Sequence, residues 1–275
     1  MSKFFYKLKI LILRIISYEK PYRVGLIKLL SLKYKSFRPH YETVLYESVR
    51  EAKKLGYKKL CVLELGVAGG NGMIALESCK TKIEKVFDVE INVYGFDTGN
   101  GMPDSKDVAD ARFNWKKGDY NMNQKELKSK INGKLYLGLI DETIKDFIKD
   151  NSSYICAIFF DMDYYSSTKS FLNKIPEIKN MLLPRVLCYF DDLYTPNNYM
   201  GKFIGEYKAI TEFNNENSNQ KLMKSLDHIS DYKFPLAKGS LFSLHTFDHK
   251  LYNDFIGEDD ASVTNLGNRK TPDIF

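Results

Sequence analysis

The chain has 275 residues, 44% hydrophobic and 28% charged, which is too apolar for a disordered protein and suits one α/β domain with extensions better than two domains. Its net charge of +6 is concentrated at one end. Residues 1–38 carry ten Lys/Arg and one acid, and the remainder carries 31 basic and 34 acidic residues. A near-neutral body argues against a nucleic-acid binder, whose basic residues would surround the cleft.

In residues 3–16, Phe4, Phe5, Leu8, Leu11, Ile12, Ile15 and Ile16 share one helical face and Lys3, Lys7 and Arg14 the opposite one. The stretch is too short and too charged to span a bilayer. No small-residue cleavage site follows it. It is expected to rest on an anionic membrane or a partner, or to dock on this protein's own core or a second copy of it. A homo-oligomer is therefore left open. Residues 42–55 read as a helix stopped by Gly56, residues 60–65 as a buried strand and residues 71–85 as a helix. A second strand spans residues 92–96 and ends at Asp97. Residues 98–132 are polar and rich in turn residues, and are expected to form a mobile loop with one helix. Further strands are expected at 134–140, 154–160, 186–190 and 240–245, and helices at 141–149, 167–182 and 207–213. The tail after residue 254 reads as loosely ordered.

Alternation of apolar strands with helices predicts a Rossmann-like α/β fold with a mostly parallel sheet covered on both faces. Ligands bind such sheets beyond the carboxyl ends of the strands. Gly66, Asp97, Asp141, Asp161 and Asp191 all fall just after strands, so they are expected to share one rim. Cys61, Cys79, Cys156 and Cys188 show no CxxC spacing, which fits a reducing, cytoplasmic compartment.

Gly66, Gly69 and Gly70, with Ala68 among them, follow the first strand, where small residues let a ligand approach the backbone. The spacing is a poor match to GxGxxG, and Glu64 would repel a pyrophosphate but attract a cationic ligand. S-adenosylmethionine, with its sulfonium and ammonium, has that character. Asp97 is placed to accept from ribose hydroxyls. Asp161 and Asp163 follow the fourth strand, and Asp191 and Asp192 the fifth. In extended chain Asp161 and Asp163 point the same way. Carboxylates gathered on one rim repel each other unless protons or a cation intervene, and oxygen ligands of this kind suit Mg²⁺. The four histidines are scattered and no nucleophile motif stands out.

The segment Glu64–Gly70 resembles the first motif of class I S-adenosylmethionine-dependent methyltransferases. Residues 95–103 resemble the second-strand motif of the macrocin O-methyltransferase-like enzymes. Asp161, Asp163, Tyr165, Ser167 and Thr168 resemble their fourth-strand motif, and Asp191-Asp192 their fifth-strand acidic pair. The resemblance covers roughly residues 40–250. It implies a seven-stranded sheet, S-adenosylmethionine held by Glu64, Gly66, Ala68, Gly69, Gly70, Asp97 and Asp141, and Mg²⁺ held by Asp161, Asp191 and Asp192. It further implies methyl transfer to a hydroxyl of a sugar, glycan or other small molecule, with Asp161 and Asp163 as catalytic groups. The resulting division is an extension at 1–38, a catalytic domain at 39–254 and a tail at 255–275. A metal-free methyltransferase, or a binding module of the same fold without catalysis, are the alternatives.

Overall fold

Strand β1 (Lys59–Leu65) is buried at every position after Lys59. Successive strand residues point to opposite faces, so such burial requires cover on both sides of the sheet. The same pattern recurs in β4 (Tyr154–Phe160). The computed structural model describes residues 38–193, 200–224 and 241–256. Within them β2 (Glu90–Asp97), β3 (Lys134–Leu137), β5 (Leu182–Phe190), β6 (Gln220–Lys224) and β7 (Leu241–Thr246) complete one sheet in the order β3-β2-β1-β4-β5-β7-β6. The pairs from β3 to β5 are parallel, and β7 runs antiparallel to both β5 and β6. The helices are α1 (Pro39–Lys54), α2 (Asn71–Phe87), α3 (Gln124–Lys128), α4 (Ile140–Asp150), α5 (Tyr165–Leu172), α6 (Ile175–Ile178) and α7 (Gly205–Glu216).

From β1 the chain steps outward to β2 and β3, then crosses back to lay β4 on the other side of β1. This reversal opens a crevice beyond the carboxyl ends of β1 and β4. Register fixes what stands there. Leu65 pairs with Phe96 and Phe160, and Phe160 pairs with Phe190. The residues that follow these positions in β2, β4 and β5 therefore end level with one another.

Three expectations need correction. The helix expected over 167–182 stops at Leu172, resumes briefly as α6, and gives way to β5 at Leu182. Pro176 supplies no N–H and restricts the residue before it, which breaks the run. β5 then passes through Pro184, where the β4–β5 register shifts and the ladder loses nothing to the missing donor. The short strand β6 was not foreseen. Its lysines are typical of an exposed edge and mask its alternation. The segment 98–132 is strapped down rather than loose. Met102, Ala111 and Trp115 bury against Tyr164. The buried carboxylate of Asp110 accepts from the backbone N–H groups of Lys106, Asp107 and Ser166 and from the hydroxyls of Ser105 and Ser166. These bonds tie the segment to the start of α5. The amphipathic pattern at 3–16 and the tail beyond residue 256 lie outside the described residues. Among the described residues, no helix is long and apolar enough to cross a membrane.

Phe160 and Phe190 hold β4 and β5 together directly beneath Asp161 and Asp191. Their rings stack at 4.2 Å with an interplanar angle of 12°, and Phe171 meets Phe160 edge-on. Phe160→Ala is expected to cost about 3–5 kcal/mol, as for other fully buried aromatics. Urea denaturation measures this. A loss below about 1 kcal/mol would mean that the stack does not carry the rim.

Candidate functional site

A cavity of about 470 Å³ opens on the rim, within the usual size for a small-molecule site. Its wall follows the sheet order. Gly138, Leu139, Ile140 and Asp141 come from the β3 end, and Asp97 and Thr98 from β2. Glu64 and the glycine turn come from β1, Asp161 to Asp163 from β4, and Asp191 and Asp192 from β5. The strapped segment after β2 adds Gly101 to Asp104, Lys106 and Tyr120.

The glycine turn is built around its neighbours. Gly66 has φ +85°, and a side chain there would put Cβ 1.8 Å from the Asp161 carbonyl oxygen. Its absence lets β1 and β4 end side by side. Gly72, which the sequence did not single out, faces Glu64: a Cβ would fall 1.5 Å from Glu64 Oε1. Ala68 borders the cavity in a left-handed conformation, φ +46°. Gly69 borders it with open space where a side chain would stand. Gly70 has φ +83°, and a Cβ there would fall 2.1 Å from Leu127 Cδ1.

Asp97 is the post of this turn. Its Oδ2 accepts from the N–H groups of Val67 and Ala68, both at 2.9 Å, and its Oδ1 accepts from Gly99 at 2.7 Å. A carboxylate offers about four acceptor sites, so three backbone bonds leave one, on Oδ1. Asp141 borders the cavity too, but its carboxylate accepts from Ser170 at 2.9 Å and faces Lys174 at 3.6 Å.

Glu64 is buried, and its Oε1 accepts from the Tyr41 hydroxyl at 3.2 Å. Its Oε2 has no partner among the described residues. Burial raises this carboxyl to about 8, against the pull of Arg38. Arg38, the last residue of the basic extension, lines the cavity. Its Nη1 donates to the Tyr41 hydroxyl at 3.0 Å and lies 3.5 Å from Asp161 Oδ2. Nothing in the local sequence marks it, because the contact depends on how α1 crosses β4 and β5.

Asp161, Asp191 and Asp192 bring carboxylate oxygens within 4.8 Å of one another. Burial and Asp191 raise Asp161 to about 6. Burial, Asp163 and Glu206 raise Asp192 to about 11. Glu206, also unforeseen, is fully buried and accepts from the Asp192 N–H at 3.2 Å. Asp192 Oδ2 and Glu206 Oε1 have no partner among the described residues. Unpaired buried oxygens at close quarters are what a small, hard cation would satisfy.

Asp163 departs from the extended geometry expected of it. Its φ is +61°, and Tyr164 N–H bonds to the Met162 carbonyl at 2.5 Å, forming a γ-turn. Such strain is held in place by surrounding structure and concentrates at functional positions. Burial and Asp161 raise Asp163 to about 7.

No protein-family model and no curated protein sequence matches the chain. Solved structures do. CalS11, a calicheamicin methyltransferase, matches at 20% identity over 87% of this chain and 90% of its own, with a TM-score of 0.53. The O-methyltransferase NovP matches at 12% identity over 73% and 76%, with a TM-score of 0.49. The chain has the class I methyltransferase fold. At these identities the likeness is one of fold.

The raised carboxyls set a pH dependence. With Glu64 at about 8, Asp161 at about 6 and Asp163 at about 7, the folded protein retains protons that the unfolded chain releases near pH 4. Stability therefore falls as pH rises from about 4 to 8. Without divalent ions the melting midpoint at pH 8.0 is expected to lie about 5 °C or more below that at pH 5.5. Glu64→Gln should reduce the difference. A midpoint that rises over this range would contradict the buried, unpaired state of these groups.

Proposed function

We propose that the protein is an S-adenosylmethionine-dependent O-methyltransferase, assisted by Mg²⁺, that acts on a hydroxyl of a sugar or glycoconjugate. The observation that carries this reading is the partnerless, buried Oε2 of Glu64 in a cavity that also contains the Asp161–Asp191–Asp192 cluster. A cationic cofactor suits the first feature and a divalent ion the second. The fold it shares with CalS11 supports the reading, and CalS11 is a TDP-rhamnose 3′-O-methyltransferase.

S-adenosylmethionine bound there supplies an electrophilic methyl group, and transfer to the acceptor oxygen breaks the carbon–sulfur bond and leaves the thioether. A magnesium ion held by Asp161, Asp191 and Asp192 would lower the pKa of the acceptor hydroxyl. The protein's own groups do the rest. Asp97 holds the glycine turn in shape and turns one acceptor site to the ribose. The γ-turn aims Asp163, which takes the hydroxyl proton as the oxygen attacks. A carboxylate within reach of the hydroxyl suits that task. The segment 98–132, fastened by Asp110, forms the outer wall and keeps water from the acceptor. Tyr120 on that wall gives the acceptor an aromatic surface.

Incubation with S-adenosylmethionine and a panel of nucleotide sugars and glycans, with and without chelator, tests the proposal. S-adenosylhomocysteine should form only with a hydroxyl acceptor and Mg²⁺. Asp163→Asn should slow turnover about 10²–10⁴-fold, the usual worth of a general base, while cofactor affinity is kept. Turnover that survives exhaustive chelation would remove the metal. Asp97→Ala should weaken S-adenosylmethionine binding about ten-fold or more, since charge-assisted hydrogen bonds are worth about 1.5–3 kcal/mol. Unchanged affinity in a folded variant would take Asp97 out of the site.

A further inference from the structure

The cavity wall among the described residues holds eight carboxylates and two cations, Arg38 and Lys106. That balance welcomes the sulfonium and ammonium of S-adenosylmethionine but opposes its α-carboxylate. An anion entering so acidic a wall needs a fixed cation beside it. Lys106 sits on the outer segment, whereas Arg38 stands at the Glu64 end. Arg38 and Glu64 share Tyr41, whose hydroxyl accepts from Arg38 Nη1 at 3.0 Å and donates to Glu64 Oε1 at 3.2 Å. The guanidinium also lies over the Tyr41 ring, 4.9 Å from its centroid. Tyr41 is itself pinned by stacking on Phe159 at 4.1 Å. The result is a rigid line of cation, phenol and carboxylate along one wall. Both described hydrogen bonds of Arg38 come from Nη1, and a guanidinium carries five donors in a fork that matches a carboxylate.

We propose that Arg38 is a cofactor-binding residue that grips the α-carboxylate of S-adenosylmethionine, while Glu64 receives the α-ammonium. The Arg38–Tyr41–Glu64 line thus reads the zwitterionic end of the amino-acid arm. This inference rests on the S-adenosylmethionine reading above. It makes residue 38, at the entry to α1, part of the cofactor site.

Calorimetric titration of the full chain with S-adenosylmethionine and with its decarboxylated analogue tests the inference. The analogue lacks only the carboxylate. Wild-type protein should bind S-adenosylmethionine more tightly than the analogue. Arg38→Met should lose ten-fold or more in affinity for S-adenosylmethionine and none for the analogue. Lys106→Met, which removes the other wall cation, controls for long-range charge and should leave the preference between the two ligands within about two-fold. If Arg38→Met weakens both ligands equally, weakens neither, or shifts the preference no more than Lys106→Met does, the assignment is wrong. The wild-type comparison stands even if a variant fails to fold, because equal affinity for the two ligands would by itself overturn the carboxylate contact. If wild-type protein binds neither, the methyltransferase reading fails with it.

Discussion

The rest of the site depends on the repulsion among carboxylates gathered at the carboxyl ends of β1, β2, β4 and β5. Water would disperse such charges. The sheet keeps them together because the residues beneath them are apolar and interlocked, with Phe159, Phe160 and Phe190 all fully buried. Large apolar burial in the strands offsets the electrostatic cost at their tips. Burial first, and the neighbouring carboxylates after it, raise the proton affinity of Glu64, Asp161, Asp163 and Asp192. Perturbation of this kind, in a cavity, marks these residues as candidates for function.

A site built on repulsion is receptive to cations, and its interior is graded. At the β1 end, Glu64 answers to Arg38 through Tyr41. At the β5 end, the described charges that act most on Asp192 are Glu206 and the aspartates, and two oxygens there are without partners among the described residues. The Arg38–Asp161 contact at 3.5 Å spans the two regions. An organic cation with a carboxylate of its own matches the first region, and a small hard ion matches the second.

Much of this was legible in the sequence, and the reasons differ by element. Strands such as Tyr154–Phe160 announce themselves because covered parallel strands are continuous apolar runs, and the acids that follow them fall on one rim by topology alone. Glu64, Asp97 and the Asp161–Asp191–Asp192 cluster were found in this way. Arg38, Tyr41 and Glu206 were not, since each reaches the site from a helix or its entry, at an angle that no local pattern encodes. Asp110 looked like one more polar residue in a turn-rich segment. Its five hydrogen bonds become visible only when α5 is in place, and they convert an expected mobile loop into a fixed wall.

The central claim is that one cavity holds an S-adenosylmethionine-like ligand and a divalent ion side by side. Crystals grown with S-adenosylhomocysteine and Mn²⁺, measured for anomalous scattering, test it most directly. The account predicts adenosine density between Asp97 and Asp141, and an anomalous peak bonded to Asp161, Asp191 and Asp192 at about 2.1–2.2 Å, near the distance for Mg²⁺. A ligand-filled cavity with no peak at those carboxylates, or a peak with no ligand density beside Glu64, would contradict it.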